Sequence, residues 1–433
     1  MDSRSFPQAR RRYFCMGKTG IILTRAIHRV ALASTGEIIG RAVNLLLPLL
    51  LIKLYGLAPL IDVFFLALAI AFFFQGTLAN SLTNALVPSF TENNDRKNAK
   101  PILYISLLGG VIAGLTTLSI AGVTADATRA AIYTCSIFII SCTGLASAAP
   151  VASLYANHRY ALAGCTWGLR AFPVALYYFS HPSINDLHLL LAGLALADTA
   201  RLAILSAACR NKLSICSNLP TLRAPTATLH LIAASVIAGL SPLLLRGIAA
   251  FGPEGTITLF EATDRLYSAI ASLASIGVGS VTLVYLSRLR GNDDNKNTWR
   301  WILYATTSWS LLWLFIAITI GISLPGAASL FGINQDHHTK EIQGTFIILA
   351  LGLPGFMLTG LLSRRMLTLG LAHHLTLLAI IGLSFTALSA FLMFDRYEIL
   401  GLALATTLSH YLVAALMAIK LSSPTNRANT NTS

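Results

Sequence analysis

The stretch that decides the fold runs from Asp62 to Gln75 and reads DVFFLALAIAFFFQ. Every residue between its two polar ends is apolar, and no charged residue follows until Glu92. About twenty consecutive, mostly apolar residues are needed for a helix to cross the roughly 30 Å of hydrocarbon in a bilayer. The segment 62–89 is therefore predicted to be a transmembrane helix.

The composition of the whole chain agrees with this prediction. Of 433 residues, 55% are hydrophobic and 11% are charged, with a mean hydropathy of +0.69. Soluble domains contain about 25% charged residues, and they need a polar exterior that this chain lacks. A soluble protein is thereby excluded, and we expect lipid to be the solvent of the fold.

Further apolar runs predict about twelve transmembrane helices, separated by polar turns such as Glu92-Asn93-Asn94-Asp95. The fold class expected is an all-α membrane protein with two lobes of six helices each. The predicted spans are 31–54, 62–89, 101–123, 129–154, 160–180, 187–208, 228–250, 255–286, 300–325, 341–362, 367–394 and 398–419.

The basic residues orient these spans. The formal charge of +14 would suggest nucleic acid in a soluble protein, but here Lys and Arg lie in short loops and at the N-terminus. Lys and Arg near span ends are retained in the cytoplasm. If both termini are cytoplasmic, nearly all Lys and Arg residues near span ends lie on the cytoplasmic side. Only Arg129, Lys340 and Arg396 then lie on the opposite side of the membrane. We therefore expect no nucleic-acid partner.

This orientation divides the chain into five parts. They are a basic cytoplasmic segment 1–30, an N-lobe 31–209, a basic linker 210–227, a C-lobe 228–419 and a polar tail 420–433. No secretory signal is apparent at the start, and Met16 is an alternative initiation site. The six cysteines show no CxxC spacing, so we expect neither a disulfide framework nor a metal site.

The two lobes also resemble each other in sequence. In the first, Pro48-Leu-Leu-Leu-Ile-Lys53 leads to Gly56 and later to Val87-Pro88-Ser89. In the second, Pro242-Leu-Leu-Leu-Arg246 leads to Gly252 and later to Tyr285-Leu286-Ser287. Parallel repeats around a central cavity, with substrate bound near the midplane, are typical of transporters.

Ionisable residues inside spans point to the site, because each costs about 2.5–3.5 kcal/mol at the bilayer centre and normally faces a cavity or a partner. Arginine suits phosphate through its planar, permanently charged fork. Two interpretations remain open: intramembrane ion pairs that lock helices together, for Asp198 with Arg201 above all, or substrate contacts. Lys53 and Arg246 have the further alternative of reaching the headgroups. The substrate-binding candidates are Glu37, Arg41, Asp62, Arg246, Glu261, Asp264 and Arg265.

Sequence motifs for catalysis are absent. The chain contains no phosphate-binding P-loop, no nucleophile elbow and no HExxH. We therefore expect a transporter and not an enzyme, with no cofactor. Any work would come from a Na⁺ or H⁺ gradient, from the membrane potential or from a downhill substrate.

Two windows of the chain, at about 35–90 and 235–290, contain recognisable strings. They are Gly40-Arg41, Leu54-Tyr55-Gly56, Asp62-Val63-Phe64-Phe65, Val87-Pro88-Ser89-Phe90, and Gly252 through Asp264-Arg265-Leu266 to Leu286-Ser287. With these strings the chain resembles the MurJ/MviN lipid II flippases of the multidrug/oligosaccharidyl-lipid/polysaccharide exporter superfamily. Two departures from the family pattern are Leu47 and Phe74-Gln75, which stand where further arginines are expected. The two additional C-terminal helices of these flippases are missing as well.

The resemblance implies a V-shaped bundle in a bacterial inner membrane, with a cationic cavity for the pyrophosphate and sugar of an undecaprenyl-linked precursor. The headgroup would move by alternating access from the cytoplasmic to the periplasmic leaflet. Arg41 and Arg265 match cavity arginines of the family, and Asp62 and Asp264 match acidic positions beside them. The implied partners are a polyprenyl-pyrophosphate-linked glycan, membrane lipids and the cell-envelope synthesis machinery.

Three other functions remain as alternatives. An ion-coupled small-molecule exporter would have an acidic cavity for organic cations, whereas pyrophosphate requires a basic one. An intramembrane glycan polymerase or ligase would need a long outer loop with paired carboxylates. A scaffold protein of the cell envelope would have no central cavity.

Overall fold

The computed structural model describes residues 42–43, 46–83, 86, 97–98, 100–124, 126–157, 159–180, 182–209, 213–214, 226–288, 295–330 and 336–422. Apart from one two-residue parallel strand pair, the regular structure of these residues is helical. The helices are α1 Leu46–Tyr55, α2 Pro59–Phe72, α3 Lys100–Thr124, α4 Ala127–Ala146, α5 Ala148–Ala156, α6 Tyr160–Cys165, α7 Ala171–Phe179, α8 Leu187–Ala208, α9 Thr226–Ala249, α10 Thr256–Arg288, α11 Asn295–Leu330, α12 Asp336–Leu351, α13 Leu353–Thr368 and α14 Ala372–Ser422.

The chain has the helices of a multi-pass membrane protein. Eight helical stretches among the described residues are long and apolar enough to cross a bilayer. Large apolar side chains lie on the outside, including Phe251, Trp301 and Phe172, which are exposed by 88%, 75% and 74%. Helices occupy described parts of all twelve predicted spans, the first only in part. The total of twelve spans, and the side on which the termini lie, remain predictions.

Helix α14 accounts for the last two predicted spans. It is 51 residues long, and its backbone is kinked at Glu398, where φ is 47° and ψ is −125°. A non-glycine residue with positive φ is uncommon and breaks the regular helical path. The kink falls where the sequence predicts the break between the spans 367–394 and 398–419.

The stretch from Asp62 to Gln75 is at the centre of the first lobe. Helix α2 begins with Pro59, whose fixed φ suits the first turn of a helix, and it buries Phe64 and Phe65. It then continues through a π-helical turn, Phe73–Leu78. Such turns add a residue to the helical repeat and often occur at functional sites. This one carries the buried side chain of Gln75.

A second irregular segment lies in the fifth predicted span. Between α6 and α7 the chain forms a 3₁₀ helix, Thr166–Arg170. The tighter winding of a 3₁₀ helix brings residues three apart into line. The segment thereby turns Trp167 and Arg170 towards the same interior region, in which both contact other charged or aromatic side chains.

Contacts between connecting segments agree with the predicted sidedness. Lys97 and Asn98 pair with Leu213 and Ser214, so the 97–98 segment and the linker lie at one end of the bundle. At the other predicted end, the Nη1 of Arg129 donates to the Oδ1 of Asn185 at 3.2 Å. Connections that the positive-inside pattern assigns to one side therefore meet each other.

The two lobes meet along α2, α9 and α10. Gly239 of α9 lies so close to the π-helical turn that a Cβ at this position would be 2.0 Å from the Cγ2 of Thr77. Gly255, at φ +88°, lies just before α10 and leaves only 2.6 Å between such a Cβ and the Cβ of Leu57. Only glycine avoids both the clash and the strain at position 255, so these positions permit close contact between the lobes.

Candidate functional site: a central cavity

A cavity of about 580 Å³ lies between the lobes. Its N-lobe wall includes Phe72, Trp167 and Arg201, and its C-lobe wall includes Arg246, Asp264 and Arg265. A cavity of this size is within the range of ligand sites, about 300–1,000 Å³. Ionisable groups from both lobes therefore reach one interior space.

Four of the candidate residues from the sequence form one cluster on the C-lobe wall. The Nε of Arg246 donates to the Oε2 of Glu261 at 2.5 Å, and its Nη2 lies 2.8 Å from the Oδ2 of Asp264. The Nε of Arg265 donates to the Oε1 of Glu261 at 2.6 Å. Glu261 is fully buried behind the two arginines, whereas Arg246, Asp264 and Arg265 line the cavity.

The spacing along α10 explains this cluster. Glu261, Asp264 and Arg265 are three and four residues apart, which places them on one face of the helix. Arg246 approaches that face from α9, with its Nη1 donating to the carbonyl of Pro242 at 2.8 Å. It is 4% exposed and paired with two carboxylates, so it does not reach towards the headgroups. Lys53, by contrast, is exposed.

A second buried cluster lies in the N-lobe. The Nε and Nη2 of Arg170 donate to the two carboxylate oxygens of Asp198 at 2.9 and 2.5 Å. Gln75 completes it: its Nε2 donates to Asp198 at 2.9 Å and its Oε1 accepts from Arg170 at 2.6 Å. All three side chains are almost fully buried. Because every partner is hydrogen-bonded, this network joins α2, the 3₁₀ segment and α8.

Arg201 is held differently. Its guanidinium carbon lies 3.7 Å from the ring centroid of Trp167, and its Nη1 is 3.4 Å from the Oγ of Ser147. Its Nε has no hydrogen-bond partner among the described residues. For Asp198 and Arg201 the sequence favoured an ion pair and left substrate contacts as the alternative. A buried ion pair that joins helical segments is present, but Asp198 forms it with Arg170.

Phe72 connects the two clusters. Its ring lies 4.1 Å from the guanidinium carbon of Arg265 and 5.1 Å from that of Arg170. A cation over an aromatic face within about 6 Å is attracted by the ring quadrupole. One aromatic side chain from α2 therefore contacts an arginine of each lobe at the cavity wall.

The charge of the described cavity region is positive. In the C-lobe cluster, Arg246 and Arg265 are matched by Glu261 and Asp264. In the N-lobe, Arg170 is matched by Asp198, and Arg201 remains in excess. The charges of these ion-paired residues therefore sum to zero, and the net charge of the described region is one positive charge, that of Arg201.

The remaining candidates lie elsewhere. Glu37 and Arg41 fall outside the described residues. Asp62 does not line the cavity but caps α10 from the other lobe: its Oδ2 accepts from the backbone N–H of Gly255 at 2.7 Å. Its Oδ1 accepts from the backbone and the hydroxyl of Thr258 at 2.9 and 2.5 Å. A carboxylate at a helix N-terminus satisfies free N–H groups and the helix dipole, so Asp62 holds the lobes together at this end.

The sequence-based candidates did not include Gln75, Trp167, Arg170 or Arg201. Arg170 was detectable, because it is a charged residue in the middle of the predicted span 160–180. Trp167 and Gln75 carry no such signal. No group of three or more His, Cys, Asp or Glu side chains in the described ranges is placed to hold a metal ion.

The cap formed by Asp62 leads to a prediction. Asp62→Ala should weaken the contact between the lobes by about 1–2 kcal/mol, the usual cost of losing a helix cap. Spin labels at the exposed positions Phe179 and Phe251, in a background without the native cysteines, report the separation of the lobes at this end. We expect a broader and longer distance distribution in the variant.

Asp186→Ala is the matched control. Asp186 is an exposed carboxylate that accepts hydrogen bonds from Ser183 within its own turn. It should leave the distances unchanged. Identical distributions in Asp62→Ala and in the unchanged protein would show that the cap does not hold the lobes.

Comparison with known proteins agrees with this geometry. Residues 217–427 match the family model described as lipid II flippase MurJ, which confirms the resemblance seen in the sequence. The structure is similar to that of a lipid II flippase MurJ in an inward closed conformation, with 16% identity, a TM-score of 0.67, and coverage of 91% of this chain and 88% of that chain. No curated protein sequence matches the chain.

Transporters of the MATE family have the same fold. An inward-facing multidrug resistance MATE transporter of the MOP superfamily gives a TM-score of 0.63 at 14% identity, over 94% of this chain and 98% of that one. The Vibrio cholerae MATE transporter VcmN in the bent form gives 0.59 at 17% identity, again over 94% and 98%. At such identities these likenesses establish the fold.

Proposed function

We infer, from the match of residues 217–427 to the family model of lipid II flippase MurJ, that this protein moves a polyprenyl-diphosphate-linked saccharide across the membrane. The substrate proposed is lipid II or a related undecaprenyl-linked glycan precursor. The headgroup is taken from the cytoplasmic leaflet and released at the periplasmic leaflet of a bacterial inner membrane. The chain thus acts as a transporter that serves cell-envelope synthesis.

The observation that carries this proposal is the charge of the cavity. Among the described residues, Arg201, Arg246 and Arg265 line it, whereas Asp264 is the one lining carboxylate. Guanidinium groups bind phosphate oxygens through paired, charge-assisted hydrogen bonds, and they remain protonated throughout. A diphosphate in this space would compete for arginines that are now held by Glu261 and Asp264.

Transport then requires the lobes to change their relative positions. The contact between Asp62 and the N-terminus of α10 joins the two lobes, so it has to break if the lobes separate at this position. Alternating access by movement of one half against the other is typical of transporters built from repeats.

The energy source follows from the charge of the substrate. Moving one charge across the membrane changes its free energy by about 2.3 kcal/mol per 100 mV. The cytoplasm is electrically negative, so an anionic headgroup is driven outwards by the membrane potential itself. Coupling to Na⁺ or H⁺ is the alternative, and dissipating each gradient separately distinguishes them.

The alternatives are less well supported. An exporter of organic cations, as the fold of the MATE transporters would permit, would meet more arginines than carboxylates in the described cavity lining. A scaffold would need no cavity, yet one is present.

Complementation tests the substrate. We expect the gene to rescue a bacterium depleted of MurJ, and we expect Arg41→Ala and Arg265→Ala to fail at matched expression. Arg300→Gln, which removes an exposed arginine outside the cavity, is the control and should rescue. Failure of the correctly inserted, unchanged protein would overturn lipid II as the substrate and favour another polyprenyl-linked glycan.

A further inference from the structure

Among the described residues that line the cavity, Arg201 of the N-lobe is the arginine that forms no ion pair with a carboxylate. Arg201 is 4% exposed and lines the cavity from α8. It contacts the ring of Trp167 and the hydroxyl of Ser147, and its Nε has no hydrogen-bond partner in the part of the chain that the structure describes. Buried polar groups are nearly always hydrogen-bonded, so such an exception needs an explanation.

The other arginines of the region are already occupied. Arg170 is bound at two oxygens of Asp198, Arg246 is bound to Glu261 and Asp264, and Arg265 is bound to Glu261. An anion entering the cavity would have to displace a carboxylate to reach the Nε and Nη2 of Arg170 or Arg246, or the Nε of Arg265. At Arg201 it would meet a desolvated guanidinium with an unused donor.

The contacts of Arg201 also fix the orientation of its guanidinium group. The indole ring of Trp167 covers one face of the guanidinium, and stacking of this kind restricts the plane in which the N–H groups point. The donors on the edge of that plane are then available to a planar or tetrahedral anion. The Oγ of Ser147 occupies the position of one such partner, at the long distance of 3.4 Å.

We propose that Arg201, stacked on Trp167, is the anion-binding residue of the N-lobe wall and contacts the diphosphate of the transported lipid. The assignment rests on the proposed function. It gives the two lobes different tasks: Arg201 is ready to bind, whereas Arg246 and Arg265 become available only when Glu261 and Asp264 release them. A headgroup held first at Arg201 could then draw the C-lobe arginines away from their carboxylates.

Binding to the purified, full-length protein in lipid nanodiscs tests this assignment. The probe is farnesyl diphosphate, with inorganic pyrophosphate in a parallel arm to separate a lipid-linked diphosphate from a free one. Tryptophan fluorescence reports binding, and Trp167→Phe identifies the part of the signal that comes from the stacked ring.

Arg201→Gln should weaken farnesyl diphosphate binding about 10- to 100-fold, the range expected for one charge-assisted contact. It leaves the network of Arg170, Asp198 and Gln75 intact, so the fold should persist. Arg201→Lys keeps the charge but loses the stacked fork, and should bind less tightly than the unchanged protein. Arg300→Gln is the control and should bind normally.

The outcomes separate the two proposals. Equal affinity in Arg201→Gln and in the unchanged protein would overturn the role of Arg201 and leave flipping untouched. If Arg201→Gln does not fold, equal affinity in Arg201→Lys overturns the assignment instead. If neither diphosphate binds to the unchanged protein, both the proposed substrate class and the role of Arg201 are overturned. Weakening in both arms assigns the site to the diphosphate itself, and weakening in the farnesyl arm alone assigns it to the lipid-linked form.

Discussion

Arg246→Met should abolish transport of the lipid-linked saccharide and also destabilise the protein by about 3–5 kcal/mol. The change removes the partner of two carboxylates, Glu261, which is fully buried, and Asp264. Glu261 retains only Arg265, and Asp264 is left in the cavity without its ion pair. The C-lobe wall then becomes negative, which repels a diphosphate. Thermal unfolding in detergent and a flipping assay in proteoliposomes measure the two effects.

A second variant separates stability from function. Arg246→Met combined with Glu261→Gln removes one charge of each sign, so the free energy of unfolding should recover in large part. Transport should remain absent, because the arginine that lines the cavity is still missing. Transport at the normal rate in either variant would show that Arg246 does not contact the substrate.

Arg170→Met should destabilise the protein by a similar amount, about 3–5 kcal/mol, without changing the cavity lining. The variant leaves the carboxylate of Asp198 buried, with Gln75 as its remaining hydrogen-bond donor in the network. Breaking a buried ion pair on one side costs more than removing both partners, because one charge stays uncompensated. Thermal unfolding of the single and double variants measures the difference.

The double variant Arg170→Met with Asp198→Leu is the matched control. Apolar side chains of comparable size can replace a buried ion pair with little loss of stability. We therefore expect the double variant to unfold at a higher temperature than Arg170→Met alone. If Arg170→Met were as stable as the unchanged protein, the ion pair would not be what fixes the 3₁₀ segment against α8.

The sequence was sufficient for the part of the C-lobe cluster that lies on α10, because these three residues are close in sequence. Glu261, Asp264 and Arg265 lie on one helix at spacings of three and four, a local regularity that holds in any α-helix. The helical class and the broad positions of the spans were predictable for a similar reason, since length and hydrophobicity decide them. The kink at Glu398 falls at a predicted break between spans.

The N-lobe cluster was not predictable in this way. Its partners are far apart in sequence, since Arg170 and Asp198 are separated by 28 residues and Gln75 and Asp198 by 123. Two irregular turns bring them together, a π-helical turn at Gln75 and a 3₁₀ turn at Arg170. Hydrophobic periodicity does not encode such turns. Helical spacing therefore favours Arg201 as the partner of Asp198, whereas the structure pairs Asp198 with Arg170.

The cap formed by Asp62 was also beyond prediction. The residue matches an acidic position of the resembling family, and this match predicts a substrate contact. Its three acceptor contacts go instead to the start of α10, more than 190 residues away in sequence. The packing of the two lobes decides which side chain of one lobe contacts a helix end of the other. A sequence pattern within either lobe does not predict this contact.

The most direct test of the account is movement of labelled lipid II through the purified protein in proteoliposomes. A fluorescent label on the headgroup, quenched by a reagent that does not cross the membrane, shows which fraction of the lipid has changed leaflet. We expect rapid exchange with the unchanged protein, accelerated by a membrane potential that drives anions in the direction of transport. With Arg246→Met we expect no exchange above that of protein-free vesicles. Exchange at the rate of protein-free vesicles for the unchanged, folded protein, with lipid II and with other polyprenyl-diphosphate glycans alike, would contradict it.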